Sequence, residues 1–288
     1  MKILLTGAKG QLGLVAAAHF ASEGCEVVPL AMRDLDITDH RAVCGRVSSE
    51  RPDAVVNCAA YNDVDGAEEN AVAALSVNSF AVRSLARAAA ESGAVLVHYG
   101  TDFVFDGETD RPYTEEDAPR PLGVYAASKL LGEWFAADAP RHYVLRVESL
   151  FGGAAEENFR GKSSVDRIID ALSAGGEARA FSDRVVSPSY VLDVARATWF
   201  LVREGAPAGL YHCVNTGCTT WYDLACEVAR LVGSGVPVPV SVDDVRLRAP
   251  RPRFAALDNS KLRAAGFVMP AWQDAVARHV AARKGIGR

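Results

Sequence analysis

The chain has 288 residues, 49% hydrophobic and 23% charged, the balance of an ordinary globular protein long enough to bury a sizeable core. Its net charge of −5 is spread without a basic stripe or polybasic tail, which argues against nucleic acid and membrane surfaces as partners. The opening MKILLTGAKG has no signal-peptide pattern, no apolar stretch is long enough to span a bilayer, and the six scattered cysteines form no CxxC pair. A cytoplasmic chain with reduced thiols and no metal site is therefore expected.

KILLT (2–6) reads as the first strand and runs into TGAKGQLG, where Gly7, Gly10 and Gly13 precede a helix expected over about 11–22. Leu12, Ala16 and Phe20 repeat every four residues along it, one buried stripe. A glycine turn between a strand and a helix N-terminus offers backbone N–H groups and the positive end of a helix dipole to a pyrophosphate. In that context the three glycines point to a dinucleotide. The second strand, EVVPL (26–30), is followed by Arg33, with Asp34 and Asp36 close by. An arginine there suits a 2′-phosphate and favours NADPH, with NADH left open, whereas an acidic residue holds ribose hydroxyls. Arg33 reads equally well as a surface residue.

A helix over about 39–49 leads to the third strand, AVVNCA (54–59), where the small residues Cys58, Ala59 and Ala60 either let a ligand approach or pack tightly. One long helix is expected over 66–91, with Asn78 capping or packing in its middle and Glu68 and Glu69 as solvated charges. AVLVHYG (94–100), in or near which His98 packs, and HYVLRV (142–147) complete a set of short apolar strands alternating with helices. That alternation predicts a doubly wound α/β fold with a parallel sheet covered on both faces.

YAASKLLGE (125–133) opens a helix expected over 125–138. Tyr125 and Lys129 stand four apart and so share a face. The lysine charge would favour phenolate and draw the tyrosine pKa from about 10 toward neutrality. The spacing alone also fits a solvated helix face.

Beyond residue 150 the pattern loosens into helices over about 164–173 and 190–203, a strand GLYHCVN (209–215) and a helix from Thr219 to Leu231. The expected architecture is a Rossmann domain over 1–150, to which 184–205 returns, and a smaller α+β substrate lobe of 151–183 and 206–288. Arg184 and Arg251 suit a diphosphate, because a guanidinium matches phosphate geometry, or are ordinary surface charges. Trp221 is a core or interface aromatic, or stacks on a sugar.

The glycine turn, Thr101 at the end of the fourth strand and Tyr-x-x-x-Lys opening the next helix together resemble an extended short-chain dehydrogenase/reductase. GAKGQLG, LDITD (35–39), RPDAVVNCAAYNDVDGAE (51–68), GTDFVFDG (100–107), YAASKLLGE, LR (145–146), NF (158–159) and RPRFAALDNSKL (251–262) resemble the dTDP-4-dehydrorhamnose reductase family nearly end to end. The resemblance implies a nucleotide-sugar 4-ketoreductase using NADPH, with a dTDP-linked substrate and a homodimer as expected partners. It implies Thr101, Tyr125 and Lys129 as the catalytic triad, with Lys129 also binding the nicotinamide ribose. Gly7, Gly10, Gln11, Leu12, Asp36, Ile37, Ala59, Ala60 and Tyr61 would line the cofactor. Asn62, Val64, Asp102 and Asn158 would face the nucleotide sugar, with Thr101 and Phe103 beside them. Three departures stand on the substrate side: Gly100 where the family usually has Ser, Ser149 where a Trp is common, and Arg184 where Gln is usual. A dehydratase would need a glutamate after Asp102, where Phe103 stands; an epimerase, or an NADP-binding regulatory subunit resembling methionine adenosyltransferase β, shares the remaining motifs.

Overall fold

The structure, a computed structural model, describes residues 1–153 and 162–285. Its first half follows the alternation in the sequence: β1 (Lys2–Thr6), α1 (Gln11–Ser22), β2 (Glu26–Leu30), α2 (His40–Glu50) and β3 (Ala54–Asn57). The segment expected as one helix over 66–91 is instead α3 (Val64–Glu69), α4 (Ala71–Leu75), a π turn (Ser76–Phe80) and α5 (Ala81–Ser92). Asn70 makes the first break: it leaves helical geometry at φ −123° and ψ 49°, and its side-chain amide donates to the Gly66 carbonyl at 3.1 Å.

β4 (Val95–Thr101), a 3₁₀ turn (Asp102–Val104), α6 (Val124–Ala136) and β5 (His142–Val147) follow. The remainder comprises β6 (Leu150–Phe151), α7 (Ser164–Ser173), β7 (Glu177–Phe181), β8 (Val185–Val186), β9 (Ser189–Tyr190) and α8 (Val191–Glu204). Then come β10 (Gly209–His212), β11 (Thr219–Thr220), α9 (Trp221–Val232), β12 (Val236–Val240), α10 (Ser260–Ala264) and α11 (Trp272–Arg283).

Six parallel strands form the main sheet in the order β10-β5-β4-β3-β1-β2. Alternate residues reach opposite faces. Ile3 and Leu5 join Phe20 of α1 and Leu201 of α8 on one side, while Leu4 joins Val43 of α2 and Leu85 of α5 on the other. β2, at the edge, tolerates Pro29 because no further strand needs its N–H. The strand Gly209–His212 departs from the expected division, which placed 206–288 in the smaller lobe. It pairs with β5 as the sixth strand of the main sheet. Helix α8 carries the chain back across the sheet to the edge that β5 would otherwise expose, and Leu262 and Met269 also pack into the core of that sheet. A separate apolar cluster joins Phe151, Ile169 and Leu172 of α7, Leu224 and Val228 of α9 and Val276 of α11.

Candidate active site

β2 and β3 flank β1 on opposite sides and the chain reaches β3 from β2, so the strand order reverses at β1 and a crevice opens at the carboxyl ends of β1 and β3, where open α/β sheets bind ligands. The glycine turn shapes it. Gly7 has φ +69°, and a Cβ there would lie 2.5 Å from the Ala59 nitrogen; a Cβ on Gly13 would lie 2.2 Å from the Gly7 carbonyl. Gly10 caps α1 without a side-chain bond, so the N–H groups of Gln11, Leu12 and Gly13 remain without an intrahelical acceptor.

A cleft of about 620 Å³ lies beside this turn, and Gly7, Gly10, Asp36, Ile37, Cys58, Ala59, Ala60, Tyr61 and Asn62 line it. Asn62, expected at the sugar, is thus one of the residues of this cleft wall. Lys9 and Thr38, which lie within GAKGQLG and LDITD without having been singled out, and Met32, to which no motif pointed, line the cleft as well. Thr38 holds Asp36 in place, donating to its Oδ1 from the backbone at 2.9 Å and from the hydroxyl at 2.7 Å. Those bonds keep the carboxyl below its usual pKa. The Gln11 side chain turns away and donates to the Gly152 carbonyl at 2.9 Å, and that of Leu12 is in the core. Gln11, Leu12 and Gly13 therefore offer a ligand chiefly their backbone N–H groups. Arg33 is 74% exposed, its nearest acidic partner Asp34 lies 3.6 Å away, and it stands outside the cleft wall.

Tyr125 and Lys129 lie in the first turns of α6. Gly123 caps that helix without a side chain, and Glu68 serves instead, accepting the Val124 N–H at 2.8 Å. Glu68, expected as a solvated charge, is thus a cap for the helix that carries Tyr125. Asn78, in the π turn, accepts the Tyr61 N–H at 2.8 Å and donates to the Tyr61 carbonyl at 3.0 Å and to the Ser128 hydroxyl at 3.0 Å. It ties the cleft wall to α6.

Burial pushes the Tyr125 phenol well above its ordinary pKa; the charge of Asp102 adds to this and the Thr101 hydroxyl opposes it. The expectation that Lys129 draws the phenol toward neutrality does not hold in this structure, because burial outweighs any such attraction. Lys129 itself is pulled down to about 8 by burial, against the charge of Glu133, and its Nζ donates to the Tyr99 carbonyl at 2.5 Å. The phenol is therefore a proton donor at neutral pH.

Thr101 Oγ1 donates to Asp102 Oδ1 at 3.0 Å and accepts the Phe103 N–H at 3.3 Å. Burial raises Asp102 to about 7, against the Thr101 bond and the charge of Arg184. Phe103 meets Tyr125 edge-on at 5.7 Å, and Val64 packs against the same small cluster as Tyr125. Arg251 lies over Phe103 at 5.6 Å and is already engaged with Asp65 and the Ala249 carbonyl, each at 3.0 Å. Arg184 is held at 3.3 Å by the Pro252 carbonyl. It also lines a second cleft, of about 250 Å³, with Arg167, Arg179 and Trp221. Asn158 lies outside the described residues.

Two departures from the family pattern have structural causes or consequences. A Cβ on Gly100 would lie 2.2 Å from Glu133 Oε1, whose carboxylate binds Arg146 at 2.8 Å in a buried pair. Ser149 adopts φ 47°, in the left-handed region that non-glycine residues rarely enter. Among the described residues no group of three His, Cys, Asp or Glu is placed to hold a metal ion, and no helix is long and apolar enough to cross a membrane.

A parallel sheet entered through a glycine turn, with its cleft at the switch point and Tyr-x-x-x-Lys on the helix after β4, defines a Rossmann-type short-chain dehydrogenase/reductase fold. The family model described as RmlD substrate binding domain matches residues 1–284. A dTDP-4-dehydrorhamnose reductase of Mycobacterium tuberculosis is 36% identical over 98% of this chain and 93% of its own length. The crystal structure of a dTDP-4-dehydrorhamnose reductase from Clostridium acetobutylicum superposes with a TM-score of 0.92 at 33% identity, covering 99% of this chain and all (100%) of that one. That of the Bacillus anthracis dTDP-4-dehydrorhamnose reductase in complex with NADP gives 0.90 at 31% identity, over 96% and 98% of the two chains. The chain belongs to the dTDP-4-dehydrorhamnose reductase family.

Proposed function

We propose that this protein reduces the 4-keto group of a dTDP-linked deoxysugar with NADPH. The carrying observation is a buried phenol, Tyr125, held protonated beside the Thr101 hydroxyl, on a helix that Asn78 ties to the wall of the cleft at the glycine turn. The glycine turn fits a pyrophosphate: a Cβ at Gly7 or Gly13 would clash with backbone, and the first N–H groups of α1 are free to bind an anion. Bound NADPH supplies the hydride.

Tyr125 gives its proton to the carbonyl oxygen as charge develops there. Thr101 hydrogen-bonds the same oxygen and stabilises that charge. Lys129 leaves part of its bonding capacity on the Tyr99 carbonyl and turns the rest to the nicotinamide ribose; its charge then holds the phenolate left behind. Arg184, at the rim of the cleft that Arg167, Arg179 and Trp221 share, suits the diphosphate of the sugar nucleotide. Phe103 stands where a dehydratase would carry a glutamate, which weighs against water elimination. Six free thiols suit a reducing cytoplasm, and the exposed Val72, Phe80 and Trp134 on neighbouring helical segments suit a homodimer.

The test follows NADPH and NADH absorbance while the protein meets a panel of 4-keto sugar nucleotides, dTDP-4-dehydrorhamnose first. Oxidation of NADPH with one sugar supports the reading; cofactor binding without turnover of any sugar overturns it. Arg33→Ala in the same assay separates the cofactors. If the guanidinium binds the 2′-phosphate, its removal weakens NADPH roughly 10-fold and leaves NADH unchanged.

A further inference from the structure

We infer that Glu148 is the residue with which this chain recognises a hydroxyl on the sugar carbon next to the reacting carbonyl. The inference rests on the reductase reading for the location of the sugar and goes beyond it in assigning a specificity-determining contact.

Position is the first argument. Val147 pairs with Thr101 in the register of β4 and β5. One residue further on, Glu148 and Asp102 therefore stand side by side past the carboxyl ends of neighbouring strands, and Asp102 in turn accepts from the Thr101 hydroxyl. Glu148 is 2% exposed. Its Oε2 accepts the Ser187 N–H at 2.5 Å, and its own N–H donates to Ser189 Oγ at 3.3 Å. Its Oε1 is buried and has no partner among the described residues, a state shared there only by His19 Nε2 and His98 Nε2. Buried polar atoms are almost always bonded, and one that is not asks for a ligand or a reason. Holding the Ser187 loop needs one carboxylate oxygen and explains nothing about the second.

The surroundings decide what that oxygen can bind. Asp102, Arg184 and Cys218 are the charged or titratable groups that bear on it. Burial foremost, and then the charge of Asp102, push the Glu148 carboxyl above its usual pKa. With Oε2 accepting from Ser187, Oε1 is the oxygen left for a ligand. A hydroxyl both donates and accepts, so it meets a carboxyl oxygen in either protonation state. Next to it, the left-handed backbone of Ser149 marks strain of the kind that surrounding structure must hold in place.

The experiment uses the full chain loaded with NADPH and two dTDP-sugars that differ only in a hydroxyl at the carbon next to C4. Binding is read by titration calorimetry and turnover by absorbance. The wild type should prefer the hydroxylated sugar on the order of 10- to 100-fold, since a site built to hydrogen-bond a hydroxyl rejects the analogue that lacks it. Glu148→Ala should lose that preference and keep its NADPH affinity. Glu148→Gln should restore it, because the amide oxygen accepts from Ser187 while its nitrogen offers the hydroxyl a bond from the position of Oε1. Should Glu148→Ala not fold, Glu148→Asp withdraws the carboxyl by one bond and should cut the preference several-fold. No preference in the wild type, or an undiminished preference in Glu148→Ala or Glu148→Asp, overturns the inference. A Glu148-dependent preference in binding without turnover of either sugar supports the contact and overturns the reductase reading alone.

Discussion

Asn78 grips one residue of the cofactor loop by both ends of its backbone: Oδ1 accepts the Tyr61 N–H at 2.8 Å while Nδ2 donates to the Tyr61 carbonyl at 3.0 Å. The same amide reaches the Ser128 hydroxyl, one residue before Lys129. Replacing it with alanine leaves two part-buried backbone groups without a partner and leaves the Ser128 hydroxyl only its bond to the Tyr125 carbonyl. Asn78→Ala should cost about 2–4 kcal/mol in urea denaturation, from roughly 1–3 kcal/mol for each unsatisfied group with partial relaxation. NADPH affinity should fall with it, whereas the surface change Ser84→Ala should alter neither.

Tyr125→Phe removes the proton donor and keeps the ring that meets Phe103 edge-on. Turnover should drop roughly 10²- to 10⁴-fold, the usual worth of a positioned acid, with the melting temperature and NADPH affinity close to wild type. Full activity in this variant on a good substrate would show that another group delivers the proton.

Asp102 makes the stability of the free protein depend on pH. Its folded pKa, about 7, stands above the ordinary 3.8, so the folded state holds its proton more tightly than the unfolded chain does. The stabilisation is complete below 3.8 and is lost as pH rises through 7. Glu148 shifts in the same direction. Between pH 4 and pH 8, Asp102→Asn should therefore lose less stability than the wild type, though the slope should not vanish; equal urea midpoints at both pH values for the two proteins would contradict the shift.

Gly100→Ala should be poorly tolerated. The new methyl would fall 2.2 Å from Glu133 Oε1, inside the buried pair with Arg146. Separating that pair leaves charges without full compensation, a loss of about 3–5 kcal/mol when complete. A matching shift in the thermal midpoint checks it. Because Glu133 sits on α6 one turn beyond Lys129, activity should fall alongside stability.

What was legible in the sequence was local. β1, β2 and β5 fall on the expected residues, since short β-branched runs between turns need no distant information. The glycine turn was legible for the same reason: strand, turn and helix are contiguous. Asn78, Glu68 and Glu148 were not, because each acts on a partner far along the chain, with separations of 17, 56 and 39 residues to Tyr61, Val124 and Ser187. A polar residue within an apolar helical pattern was the one available sign for Asn78, and the helix breaks around it followed from no simple periodicity. The pKa of Tyr125 was illegible for a related reason. Helix spacing placed a charge near the phenol but could not show how completely the fold removes the phenol from water.

The π turn at Ser76–Phe80 has an evolutionary implication. Its wider loop holds one residue more than a regular helix would, and removing any one of the five would let the backbone revert to ordinary α-helical bonding. Each residue accounts for about 100° of rotation, so such a deletion would swing Asn78 or the face of α5 out of register with α6. A loss of a single codon here would yield a chain of greater local regularity and broken chemistry, and lineages should vary in residue type along this segment far more readily than in its length.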